Sequence, residues 1–187
     1  MLKYSVITVS IVLNIIFIIF FLTSDNNITK MYSTTLEGTP KYKERIEQSN
    51  GDIIERILID GDLIQEVIYF PNGQKKEIKN YKNNQKHGDW IIYYQNNDSI
   101  NKKRKMQYSN YRNDLLRELV KYDYSGSIQQ LSLPISKNSK MITNYYLNGQ
   151  IESSGKIFLT QEGEEKRYGT WIWYDEAGLI KQEKLFN

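Results

Sequence analysis

The chain has 187 residues, no cysteine and a net charge of +3; a disulfide framework, a thiolate metal site, a cysteine nucleophile and an acylated lipoprotein cysteine are therefore excluded. Fifteen tyrosines, three tryptophans and six phenylalanines stand beside a single alanine, Ala177, a composition that favours strands over helices. Charge is unevenly spread: residues 75–121 hold twelve Lys/Arg against five Asp/Glu, while the flanking segments are mildly acidic.

The first element is an apolar run. Tyr4 to Leu22 is nineteen residues without a charge, and a helix of that length spans ~28 Å, the thickness of a hydrocarbon core. Lys3 precedes it and Asp25 follows, so the positive-inside bias places the amino terminus in the cytoplasm and the rest of the chain outside it. The expected organisation is a transmembrane signal anchor over 1–24, a linker with a first edge strand over 25–45, and one β-hairpin repeat domain over 46–187. A secretory signal cleaved after Ser24 is the alternative, which would export the same domain as a soluble protein.

Beyond the anchor, two-residue turn signals recur: Asn50-Gly51, Asn72-Gly73, Asn97-Asp98, Ser125-Gly126, Asn148-Gly149 and Ala177-Gly178, with second positions 22 to 29 residues apart. Asn-Gly suits a type I′ turn, in which both central residues need positive φ, so each pair is expected at a hairpin tip. Aromatic pairs close the strands entering several tips: Tyr69-Phe70, Tyr93-Tyr94 and Tyr145-Tyr146. A second element repeats as Gly88-Asp89-Trp90-Ile91-Ile92-Tyr93 and Gly169-Thr170-Trp171-Ile172-Trp173-Tyr174. Alternation makes the first of these strands apolar on both faces. Leu115 to Val120 reads as a strand, with a short helix as the alternative. Thr39-Pro40 with Lys41-Tyr42-Lys43, and Lys181 to Lys184, are candidates for protecting the terminal edges.

At these residues the chain resembles the variant MORN-repeat family. The best-matching unit runs from Tyr69 to Tyr94, through Asn72, Gly73, Gly88, Trp90 and Tyr93, and a second from Tyr145 to Tyr174, through Asn148, Gly149, Gly169 and Trp171, with an insertion around Gln161 to Glu165. The resemblance covers roughly residues 50–187 and implies an all-β, antiparallel meander of repeated hairpins, an open sheet. Relatives of that kind include exported or membrane-attached proteins and some labelled antitoxin-like. The physical account stands beside it: a hairpin of ~20–25 residues cannot bury its own apolar face, so neighbours must stack into a continuous sheet.

Chemistry-bearing groups are sparse. His87 is the only histidine, so no multi-histidine metal site is available and no cofactor is expected. Glu162, Glu164, Glu165, Asp175 and Glu176 formally allow a two-carboxylate hydrolase but read as loop-exposed acids. Lys102, Lys103, Arg104 and Lys105 form a candidate basic contact patch, read either as a solvated edge or as a contact for an acidic protein, anionic lipid or glycan; an extracytoplasmic location argues against nucleic acid. Trp171, Trp173, Tyr145 and Tyr146 read as core packing, or else as the lining of a peptide or glycan groove. The expected function is a non-enzymatic protein-interaction module, anchored in the bilayer through residues 4–22 as an accessory subunit of an envelope complex. The alternative is an immunity or antitoxin-like protein that neutralises a toxin.

Overall fold

A computed structural model describes residues 5–6, 20–24, 28–34, 38–95 and 104–187. Residues 7–19, most of the expected anchor, lie outside the described residues; Phe20 to Leu22 at its end belong to a strand. No helix among the described residues is long and apolar enough to cross a membrane.

The described chain is all-β. Its contacts divide it into two compact units, residues 1–88 and 89–187. In the first, β1 (Ser5–Val6), β2 (Phe20–Ser24), β3 (Ile28–Thr34), β4 (Pro40–Glu47), β5 (Ile53–Ile59), β6 (Asp62–Tyr69), β7 (Lys75–Lys82) and β8 (Gln85–Lys86) follow one another as an antiparallel meander. After β9 (Gly88–Tyr93), the second unit runs as a meander through β10 (Lys105–Arg112), β11 (Leu115–Tyr122), β12 (Ile128–Ser136), β13 (Ser139–Tyr145), β14 (Ile151–Leu159), β15 (Glu165–Tyr174) and β16 (Ile180–Phe186). Leu115 to Val120 is strand, as expected over the helical alternative. In both units the strands make their extensive contacts with the next strand in sequence, so each meander is a single layer.

Two kinds of turn join the strands of the meanders, and the division corrects the sequence reading. At the Asn-Gly tips only the glycine has positive φ: Gly51, Gly73 and Gly149 lie at 80 to 84°, while Asn50, Asn72 and Asn148 are not in the left-handed region. The Phe70 N–H donates to the Gln74 carbonyl and the Gly73 N–H to the Phe70 carbonyl. That pattern is a three-residue loop, a type I turn closed by a glycine bulge, and not the expected type I′ turn. The same pair of bonds closes 48–52, 123–127, 146–150, 160–164 and 175–179. True two-residue turns with positive φ at both positions occur instead at Asp60-Gly61, Asn83-Asn84 and Asn113-Asp114, at the opposite ends of the strands. Asn97-Asp98 lies outside the described residues.

Asparagine has a separate reason to stand in the three-residue loops. The Asn72 Oδ1 accepts the Gln74 N–H at 3.0 Å, Asn148 Oδ1 the Gln150 N–H at 2.9 Å, and Asn50 Oδ1 the Asp52 N–H at 3.0 Å, the short side chain satisfying a turn amide. Two other loops use aspartate at the first position: Asp123 Oδ1 accepts the Gly126 and Ser127 N–H groups, and Asp175 Oδ1 those of Ala177 and Leu179. Bonds to its serine and backbone neighbours hold the Asp123 carboxyl below its ordinary range.

Thr39-Pro40 with Lys41-Tyr42-Lys43, read from the sequence as protecting an edge, leads into β4, which is hydrogen-bonded on both sides, to β3 and β5. The charged β16 does close the second meander: among the described strands only β15 pairs with it.

Candidate functional site

In the first unit, one face of the meander is organised by charge. The register aligns Lys30, Glu44, Arg56, Glu66 and Lys79 across five strands, alternating in sign. Lys30 reaches Glu44 at 3.0 Å, Arg56 reaches Glu66 at 2.8 Å, and Lys79 reaches both Glu66 (3.4 Å) and Glu77 (2.8 Å). Opposite charges directly across a ladder stabilise it, and the half-buried setting strengthens the attraction. Beside this row run Ile28, Ile46, Ile54 and Ile68. The other face holds a smaller knot: Glu55 takes Lys43 at 2.8 Å, Arg45 at 3.5 Å and the Tyr69 hydroxyl at 3.0 Å. Burial pushes the Glu55 carboxyl up, but Lys43 and Tyr69 outweigh it and the carboxyl ends below its ordinary value. At the neighbouring tip Lys76 bonds Asp52 at 2.7 Å and, as the largest influence, lowers that carboxyl too.

In the second unit the packed centre lies on one face at the carboxyl-terminal strands, where Ile142, Ile157 and Trp171 form the buried cluster, with Trp173 and Phe186 against it. The Trp171 indole lies over Gly155 and donates its Nε1–H to the Lys156 carbonyl at 2.8 Å. Gly169, at φ +65°, sits where the β14–β15 register shifts, and thereby sets the tryptophan two residues on. This is what Gly-x-Trp does in its second copy. Over the rings lies the Arg167 guanidinium, 4.6 Å from Trp171, 5.5 Å from Trp173 and 5.8 Å from Phe186, and the Lys184 ammonium stands 4.9 Å from Phe186. No sequence signal marked Arg167, because it lies outside the repeated motif.

The remaining motif residues are found at turns and within β9. Tyr94 and Tyr146 stand at equivalent positions and donate their hydroxyls to the carbonyls of Tyr122 (2.9 Å) and Tyr174 (2.8 Å), each across to the next tip. Asn148 Nδ2 reaches the Glu176 carbonyl in the same direction at 3.1 Å. Trp90 packs on Tyr111 with ring centroids 5.3 Å apart; burial raises the Tyr93 phenol. Of the basic patch, Lys102 and Lys103 lie outside the described residues, and Arg104 and Lys105 stand over different rings, Tyr124 at 4.3 Å and Tyr108 at 5.7 Å. Among the carboxylates read from the sequence, Asp175 caps its own turn, Glu164 lies 3.7 Å from Lys166, and Glu165 pairs with Lys140 at 2.6 Å. Among the described residues no cluster of three or more His, Cys, Asp or Glu side chains has metal-binding geometry.

No protein-family model matches the chain, and no curated protein matches it significantly.

Proposed function

We propose that this protein is a non-enzymatic β-repeat interaction module, tethered to the membrane through its amino-terminal apolar segment, that binds another protein outside the cytoplasm as an accessory subunit of an envelope complex. The observation that carries the reading is the amount of ordered apolar surface on a single-layer sheet. Leu147, Leu179, Ile180 and Leu185 are 60 to 78% exposed, and Leu133, Ile135 and Phe158 also face solvent. Exposed apolar side chains that form a contiguous patch mark contact surfaces, whereas single ones do not. The likeness of the hairpin units to variant MORN repeats supports the same reading at the level of architecture.

The test is cross-linking followed by affinity purification of the full chain from detergent-solubilised membranes. A defined partner should be recovered and lost in a Leu133→Ser, Leu185→Ser variant that keeps its β circular dichroism. A chain that remains monomeric and partnerless under cross-linking overturns the proposal.

A further inference from the structure

On one face of the β15–β16 pair, Arg167 of β15 and Lys184 of β16 have no carboxylate partner among the described residues. β16 bonds β15 along one side, and no other described strand pairs with it, so its outward N–H and C=O groups form a template for one more strand. The register sets Gln182 across from Trp173, Lys184 from Trp171 and Phe186 from Gly169, so these side chains share the face on which Arg167 lies. Elsewhere in the molecule Lys30, Lys43, Lys76 and Lys140 each have a carboxylate within 3.0 Å. Arg167 and Lys184 have only rings: neither has a hydrogen-bond or ion-pair partner among the described residues. A guanidinium laid on indole faces is held in place while its N–H edge stays open for a bidentate acceptor. On the opposite face of β16, Leu185 is 66% exposed.

We propose that this edge docks an extended acidic segment of a protein partner, which adds a strand to β16, turns carboxylates toward Lys184 and Arg167, and lays alternate apolar side chains against Leu185. The inference rests on the interaction-module reading and names the chemistry of its partner. Strand addition supplies main-chain hydrogen bonds, and the period of two in an added strand sorts acids to one face and apolar groups to the other. The ring contacts fix the cations before binding and so reduce the ordering cost.

The full chain in detergent micelles is titrated with a short synthetic peptide alternating Glu and Val, and with one alternating Lys and Val. Tryptophan fluorescence reads binding, and amide hydrogen exchange reads β16. The acidic peptide is expected to bind and protect β16 amides, and the basic one to fail. Arg167→Gln with Lys184→Gln should weaken binding about ten-fold or more, as loss of charge-assisted hydrogen bonds implies, while Arg167→Lys, which keeps the charge but loses the bidentate edge, should weaken it less than the double variant. The proposal is overturned if the acidic peptide does not bind, if the double variant binds it equally, or if binding leaves β16 exchange unchanged, as a free anion or glycan at the two cations would. A cellular partner retained by the double variant removes this site and leaves the module reading standing. Peptide binding by a chain without any cellular partner does the reverse.

Discussion

The ring of Trp171 occupies the space that a side chain at residue 155 would need: a Cβ on Gly155 would stand 2.3 Å from the indole. The backbone at Gly155 is not left-handed, so the requirement for glycine is purely one of volume. Trp171 is 2% exposed and anchors the Ile142 and Ile157 cluster. Gly155→Ala must therefore displace the indole and break its bond to the Lys156 carbonyl. Overpacking of this kind costs about 1–3 kcal/mol. Urea unfolding should show that loss together with a red-shifted tryptophan emission, and an unchanged midpoint would mean that the ring does not rest on residue 155.

The two turn classes respond oppositely to proline. Pro71 already occupies the first loop position of the 70–74 turn, and Leu147 is its counterpart in 146–150. A type I turn wants φ near −60° there, which proline supplies. Leu147→Pro is expected to leave stability unchanged or raise it by about 0.4–1 kcal/mol. Asn113 has φ +51°, which proline cannot adopt, so Asn113→Pro should destabilise by about 3 kcal/mol or more. Thermal melts of the two variants decide the assignment; comparable losses in both would refute the three-residue loop.

The strand content and the hairpin tips were legible because Tyr, Ile and Val alternate between Gly-centred turns, and that pattern has few other solutions. Turn type was not legible. Asn-Gly is compatible with both positive-φ asparagine and the bulged loop, and the choice depends on how many residues the flanking strands leave over, as at Phe70 and Gln74. The alternating charge row was hidden for a related reason: Lys30 and Lys79 lie 49 positions apart in sequence, and only the register brings them into one line. Arg167 was invisible because its role depends on rings from two strands.

Ser132 is 2% exposed and its hydroxyl has no hydrogen-bond partner among the described residues. It faces Leu119 on one side and Ile142 on the other, two apolar side chains. An unpaired buried hydroxyl carries a desolvation cost that alanine removes. Ser132→Ala is expected to be stabilising by about 1 kcal/mol, read as a higher urea midpoint with an unchanged slope. A loss of stability would show that the hydroxyl is paired in solution.

Glu55 ties stability to pH with a definite sign. Its folded-state carboxyl titrates below the ordinary 4.5, because Lys43 and Tyr69 outweigh the opposing effect of burial. The folded chain therefore holds this contribution in full above about pH 4.5 and loses it as the pH falls through the lowered value. Glu55→Gln keeps an acceptor for the Tyr69 hydroxyl and removes the attraction to Lys43 and Arg45. At pH 7 the variant should be less stable by about 1 kcal/mol, and the gap between it and the native chain should close as the pH drops below 4.5. Asp52, lowered chiefly by Lys76, titrates in both proteins and cancels in the comparison. Denaturation midpoints across pH 3 to 7 measure the gap, and a difference that stays constant or widens toward acid would exclude a lowered carboxyl at residue 55.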